Sequence, residues 1–272
     1  MRFSNFWRIG MGLIIGSLNL LRNAKNEEQK RLFYDFIYRL IAEERLDIIT
    51  FQEVYKKEII DDIIRNISGL SSWKGAHSFG SEFAFIWNSD KVEECSKRKE
   101  PQIFSNYKAE NRLVRDPMYG RFSPRHLGSS NEIRLLDIHL IHGGTKAGAT
   151  ERRKMECSVC KNEIHRVIDT HRYGNFKRAI TVILGDYNLT CPQCNEIMNS
   201  HIVQTVQECE TTLKKDSGYS NSFDHFSFDI VKNSTVPCEV SRIDAVNKYF
   251  GGDFESYRKN VSDHVPIKLE IL

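Results

Sequence analysis

The sequence predicts an α/β protein, and three observations carry that prediction. An apolar run from Gly12 to Leu20, an amphipathic stretch from about Glu27 to Glu44 and a second apolar run at Asp47 to Phe51 follow one another as strand, helix and strand. That order is a βαβ unit, whose two strands pair in parallel through a right-handed crossover. Strand-like runs then keep alternating with helical ones, at Lys57 to Ile67, Ile133 to Ile141, Thr150 to His171 and Ala179 to Leu184. The composition is globular: 272 residues, 40% hydrophobic, with 39 Lys+Arg against 36 Asp+Glu. Disorder needs fewer apolar residues and a larger charge imbalance, collagen needs a glycine period, and a disulfide scaffold needs a short cysteine-dense chain. No repeat or low-complexity linker divides the chain, so residues 1–272 are expected to form one domain.

The elements follow in order. Arg2 and Arg8 ahead of Ile9 to Leu21 have the layout of an export signal. Glycines at 10, 12 and 16 interrupt that run, and no small-x-small cleavage site precedes Arg22-Asn23-Ala24-Lys25, so a buried first strand is expected. Leu32, Phe33, Phe36, Ile37, Leu40 and Ile41 make the apolar stripe of the first helix. Ile59, Ile60, Ile63 and Ile64 repeat it in the second, which Gly69 ends. Phe83 to Trp87 and Lys91-Val92, joined at Asn88-Ser89-Asp90, read as an antiparallel hairpin. The stretch from Lys97 to Gly128 is basic and loop-like, with a strand at Met118 to Phe122. Short strands are expected at Ser222 to Asp229, Ile243 to Val246 and Val265 to Ile271.

Strand after strand ends in a group that can do chemistry. Asn19, Glu53, His139, Asp186 with Asn188, and Asp263 with His264 all sit at or just past an apolar run. In layered α/β folds such strand ends open into loops that line a common cleft. Oxygen donors suit a hard cation such as Mg²⁺, and two histidines beside it suit acid–base work near neutral pH. Taken singly, each has a structural reading: Asp186 and Asn188 as a turn, Glu53 as a helix-start carboxylate, Asn19 as an Asx turn, Asp263 as a cap, His139 as a core histidine. His142 reads as a loop residue.

Five blocks occur in order: Ser17-Leu18-Asn19-Leu20, Phe51-Gln52-Glu53-Val54, Asp137-Ile138-His139-Leu140, Gly185-Asp186-Tyr187-Asn188 and Ser262-Asp263-His264-Val265-Pro266. Together they resemble the endonuclease/exonuclease/phosphatase superfamily over nearly the whole chain. Arg115-Asp116-Pro117 and Phe223-Asp224-His225 make the likeness strongest to deoxyribonuclease I-like nucleases. The resemblance implies a four-layer α/β sandwich, two packed mixed β-sheets flanked by helices. It implies that Glu53 binds Mg²⁺, with Mn²⁺ or Ca²⁺ as alternatives, and that Asn19 and Asp263 lie near the metal. Asp186 would orient or deprotonate the attacking water, and Asn188 would bind the scissile phosphate. His139 and His264 would share acid and base duties, with Asp224 holding His264, while Arg115 clamps a phosphate oxygen; its plain alternative is a surface pair with Asp116 or Glu110. The acidic partner of His139 aligns with Ser81, although Glu82 stands next to it.

Two features lie outside that pattern. Cys157, Cys160, Cys191 and Cys194 form two zinc-like pairs that a structural Zn²⁺ clip would join, although the 30-residue gap exceeds the usual spacing. Seven cysteines cannot all pair within the chain, and their use fits a reducing, cytoplasmic compartment. The basic runs Arg152-Arg153-Lys154 and Lys97 to Lys99 read as solvated faces. The sequence thus predicts a monomeric Mg²⁺-dependent phosphodiesterase with a nucleic-acid partner, DNA being the expected one, and no membrane span. The alternatives are hydrolysis of a lipid or small phosphate ester, and a zinc-clipped binding protein without catalysis.

Overall fold

Two mixed sheets stacked face to face form the middle of the molecule, as seen in a computed structural model that describes residues 12–21, 26–78, 80–96, 98–127, 131–144, 147–171, 178–198, 203–230, 232–233 and 238–272. The basic flank at Arg2 and Arg8, the stretch Arg22 to Lys25, and Lys97 lie outside the described residues. The chain runs β1 (Leu13–Asn19), α1 (Glu27–Glu44), β2 (Ile48–Gln52), α2 (Lys57–Ile67), β3 (Trp73–His77), β4 (Ala84–Asn88), β5 (Val92–Glu94), β6 (Gln102–Ile103) and β7 (Met118–Pro124). It continues through β8 (Asn131–His139), α3 (Ala149–Val159), α4 (Arg166–Thr170), β9 (Arg178–Asp186), α5 (Cys191–Met198), β10 (Val203–Thr205) and β11 (Asp224–Asp229). It closes with β12 (Cys238–Arg242), α6 (Ala245–Phe250), α7 (Phe254–Asn260) and β13 (Ile267–Ile271).

The first sheet has the order β12-β13-β1-β2-β4-β3, and the second β10-β11-β9-β8-β7-β5 with β6 against β7. Each contains one parallel neighbour pair, β1 with β2 and β8 with β9. Ile15, Ile48, Phe85, Trp87, Phe122, Leu135, Val182, Leu184, Phe226 and Leu269 fill the space between the sheets. Outside the first sheet lie α1, α2, α6 and α7, and outside the second lie α3, α4 and α5, each group with its own apolar cluster. This is the four-layer arrangement that the sequence predicts.

Local sequence explains the helices that hold the first sheet. Asn26 caps α1 by accepting the Gln29 N–H at 2.9 Å, and Phe33, Phe36, Ile37 and Leu40 are buried on the stripe side. Burying each such side chain contributes about 1.5–3 kcal/mol. On β3, a Cβ at Gly75 would meet Ile60 and Ile64 side chains at 2.7 Å, so α2 lies directly on that strand.

Three expected elements differ. The hairpin from Phe83 to Val92 does not form: β4 pairs with β2 and β3, whereas β5 pairs with β7 in the other sheet. The Asn88-Ser89-Asp90 turn carries the chain across, because Trp87 and Val92 both belong to the core between the sheets and face it from opposite sides. Ile243 to Val246 is no strand; Asp244 accepts the Asn247 N–H and starts α6, while the strand lies just before it at β12. Four residues, one of them the charged Asp244, are too few to carry a period that separates strand from helix. The long helix is broken into α3 and α4 by a widened π-type turn at Cys160–His165. No helix among the described residues is long and apolar enough to cross a membrane.

Candidate active site

Parallel pairing delivers the site. Strands running the same way end at the same rim, so β1 and β2 bring Asn19 and Gln52 side by side, and β8 and β9 bring His139 opposite Asp186. Because the two sheets stack, both rims meet. Antiparallel β11 enters there with Asp224 opposite Asp186, and His264 precedes β13. Glu53 and Asn188, the residues just beyond two of these strands, hold φ of 59° and 50°. That left-handed backbone costs roughly 1–3 kcal/mol at a non-glycine residue and is concentrated where function fixes geometry.

Asp186 is the hub. The Asn19 amide donates to Asp186 Oδ2 and to Glu53 Oε1, each at 3.1 Å, and so joins carboxylates from the two sheets. His139 Nε2 lies 3.5 Å and His264 Nε2 3.7 Å from Asp186 Oδ2, and His139 Nε2 also lies 4.0 Å from Glu53 Oε1. Behind each ring stands a second carboxylate: Glu82 receives His139 Nδ1, and Asp224 Oδ2 receives His264 Nδ1 at 2.8 Å while also accepting the Thr211 hydroxyl at 2.6 Å. Carboxylates only accept, so Nδ1 of both rings carries a proton and Nε2 of both turns toward Asp186.

The electrostatics follow from this packing. Burial alone would lower the His264 pKa, but the charges of Asp224 and Asp186 outweigh it and raise it to about 10. Burial would raise Asp186, yet the His264 and His139 rings hold it below the usual carboxylate range. Glu82 is likewise held low, burial being outweighed by His139 and Arg115.

The remaining expected residues divide. Asn188 N–H donates to Asp186 Oδ1 at 2.8 Å and its Nδ2 to the Leu140 carbonyl at 3.1 Å, so the turn after β9 is tied to the end of β8. Arg115 is at this site and not in a pair with Glu110 or Asp116: its Nε lies 2.6 Å from Glu82 Oε1. It lines a recess of about 360 Å³ together with Tyr55, Glu82 and Lys108. Asp263, next to His264 and acting on it with its charge, has Oδ2 3.9 Å from an Arg258 nitrogen and an Oδ1 that is buried without a hydrogen bond. Glu82, not Ser81, is the partner of His139: its carboxylate receives the His139 Nδ1 proton, one residue along from the aligned position. His142 goes beyond its loop reading, with Nδ1 3.1 Å from Asn188 Oδ1. A third histidine within three residues of His139 is the signal that would have found it.

Side chains gathered tightly enough to hold a metal are, among the described residues, Asp186, Asp224 and His264, whose donor atoms lie within 4.8 Å of one another. Among the described residues the four paired cysteines do not come together that closely as a set, although Cys157 and Cys194 lie side by side where α3 packs on α5. Cys157, Cys160 and Cys194 are packed in the apolar cluster of the outer helices, while Cys191 at the start of α5 accepts from the Asn195 amide and faces the Thr205 carbonyl at 3.9 Å. The basic run on α3 is taken up within the chain: Arg152 pairs with Glu156, Arg153 binds the loop after β8, and Lys154 pairs with Glu196.

No protein-family model matches this chain, and no curated protein matches its sequence. Solved structures do match its fold. TDP2 from D. rerio, complexed with a single-strand DNA product, superposes with a TM-score of 0.66 at 15% identity, over 97% of this chain and 100% of that one. An endonuclease/exonuclease/phosphatase family protein from Bacteroides thetaiotaomicron gives 0.62 at 15% identity, covering 96% of this chain and 94% of that one. A mannosyl-6-phosphatase from the same species gives 0.62 at 15% identity, covering 96% and 99%. The chain therefore has the fold of endonuclease/exonuclease/phosphatase proteins, the one its five sequence blocks resemble.

Proposed function

We propose that this chain is a divalent-metal-dependent phosphoester hydrolase acting on nucleic-acid phosphodiester bonds. One observation carries the reading: two imidazoles, each backed by a carboxylate at Nδ1, bracket one buried carboxylate with their Nε2 atoms. A purely structural histidine–aspartate pair has no need of a second one aimed at the same oxygen.

The donor set fits a hard cation. Glu53, Asn19 and Asp263 offer oxygen, and Asp263 Oδ1 and Asp224 Oδ1 are buried without a hydrogen-bond partner. Glu53 would hold Mg²⁺ with Asn19 and Asp263 near it, and Mn²⁺ or Ca²⁺ suit the same oxygens. When bound, the cation neutralises charge on the transferring phosphoryl group. Asp186 Oδ2 orients the attacking water or takes its proton. His139 and His264 exchange protons at Nε2, one with the entering and one with the leaving oxygen. Glu82 and Asp224 keep both rings in the tautomer that presents Nε2. Asn188 donates to a phosphate oxygen, and Arg115 clamps another with its planar fork.

Support for a nucleic-acid substrate comes from the deoxyribonuclease I-like sequence blocks and from the DNA-bound TDP2 that shares the fold. A sugar phosphate is the second reading, because a mannosyl-6-phosphatase shares the fold at the same 15% identity. The test is incubation of the purified protein with plasmid DNA, single-stranded DNA, sphingomyelin, inositol phosphates and mannose 6-phosphate, each with Mg²⁺ or EDTA. Mg²⁺-dependent cleavage of DNA is expected. Hydrolysis of a small or lipid ester alone moves the substrate, and no hydrolysis with Mg²⁺, Mn²⁺ or Ca²⁺ sinks the reading.

A further inference from the structure

We propose that His142 is a positioning residue for Asn188, fixed in one tautomer by a clamp that α3 builds around its loop; the inference rests on the phosphate-binding role given to Asn188 above. The Asn188 amide cannot turn over. Its Nδ2 lies 3.1 Å from the Leu140 carbonyl oxygen, and a carbonyl only accepts. Its Oδ1 therefore faces His142 Nδ1, at 3.1 Å, and an amide oxygen also only accepts. Nδ1 of His142 must then carry the proton, the opposite of the Nε2–H form that free histidine prefers. With Oδ1 and one Nδ2 hydrogen engaged, a single N–H of Asn188 remains for a phosphate oxygen, and Leu140 and His142 together aim it.

The ring is exposed, so burial does not hold it there. Its backbone is held instead. Arg153, only 8% exposed, donates Nε to the Ile141 and His142 carbonyls at 3.1 and 2.9 Å, and Nη2 to the His142 and Gly144 carbonyls. Glu156, 1% exposed, accepts the Ile141 N–H at 3.0 Å on one oxygen and the Val114 N–H, next to Arg115, at 3.1 Å on the other. Gly143 and Gly144 take φ of +59° and +56°, which lets three carbonyls of the loop turn toward one guanidinium. A buried charge is costly unless paired, and here two of them are spent on the backbone of the loops that carry His142 and Arg115. Such rigid support is what a hydrogen bond needs if it is to hold a substrate-binding amide in place.

The test uses the full chain. His142→Ala should lower kcat/KM on the DNA substrate about tenfold, with an unchanged Tm because the ring is exposed. His142→Gln, whose amide can donate to Asn188 Oδ1, should recover most of the loss. In an Asn188→Ala background, His142→Ala should have no further effect. A wild-type rate in His142→Ala, or the same tenfold loss in the Asn188→Ala background, overturns the proposal. Independently of any activity, ¹⁵N NMR of the imidazoles at about pH 8 should find His142 protonated on Nδ1 in wild type and on Nε2 in Asn188→Ala. If no phosphoester is hydrolysed, the function reading falls by itself and the tautomer still decides here: an Nε2–H ring in wild type overturns the positioning role.

Discussion

Gly185→Ala is a one-methyl change that should disable the molecule. Gly185 holds φ of +121°, outside what an L side chain readily adopts, which costs roughly 1–3 kcal/mol. A Cβ there would also fall inside the van der Waals surface of the Ile138 carbonyl oxygen and 2.7 Å from Asp137 Oδ1. Both are in the neighbouring strand β8, where Ile138 pairs with Gly185 and His139 with Asp186. Relieving that overlap means parting two central strands, at about 1–3 kcal/mol more. A combined loss of about 3 kcal/mol corresponds to a Tm lowered by roughly 6–12 °C for a chain of this size. Parting the strands also separates His139 from Asp186, so hydrolysis should fall further than stability does. Thermal unfolding by circular dichroism, run beside the nuclease assay, measures both. A Gly185→Ala protein with wild-type Tm and wild-type rate would refute the reasoning from backbone geometry to site.

Other outcomes follow from the same geometry. Because the folded-state pKa of His264 is raised from 6.5 to about 10, its contribution to stability is full below about pH 6.5 and is lost as pH climbs through 10. Urea unfolding of metal-free protein should therefore give a steeper loss between about pH 7 and pH 10 in wild type than in Asp224→Asn, and equal slopes would contradict the pairing. Glu82→Gln, which takes the charge from the partner shared by His139 and Arg115, should cut kcat roughly ten- to a hundredfold. An unaffected rate in that variant would show that His139 and Arg115 do not depend on the Glu82 charge. Metal analysis of purified protein should find zinc well below one per chain, since the four cysteines do not all come within ligand reach of one ion; one zinc per chain that is lost on Cys157→Ser would establish the clip instead.

The parts of the fold written in local pattern were legible, and the parts decided by distant partners were not. Helices α1 and α2 have the predicted bounds because their apolar stripes are regular and Asn26 supplies a cap. β9 was legible as a buried β-branched run. β3 escaped notice since Gly75 and Lys74 break its alternation, and β12 is a half-exposed edge strand without a one-sided pattern. Nothing in Phe83 to Val92 says that its two strands join different sheets, because that depends on which neighbours Trp87 and Val92 meet across the core. At the site, Asn19, Glu53, His139, Asp186, Asn188 and His264 were readable as polar groups at strand ends. Glu82 was readable only as the acid beside the aligned Ser81, and His142 only as a histidine three residues past His139, because each acts on a ring or an amide from another segment and such reach has no periodicity.

The central claim is that the strand ends of two sheets form one hydrolytic centre around Asp186. Asp186→Asn tests it most directly, since it keeps the side chain's shape, including the Oδ1 that receives the Asn188 N–H, while removing the charge that both imidazoles face. Wild type and variant would be compared on single-stranded DNA at saturating Mg²⁺, with circular dichroism to verify the fold. The account predicts a natively folded variant whose kcat is at least roughly a thousandfold lower. A folded Asp186→Asn protein that cleaves at the wild-type rate would contradict it.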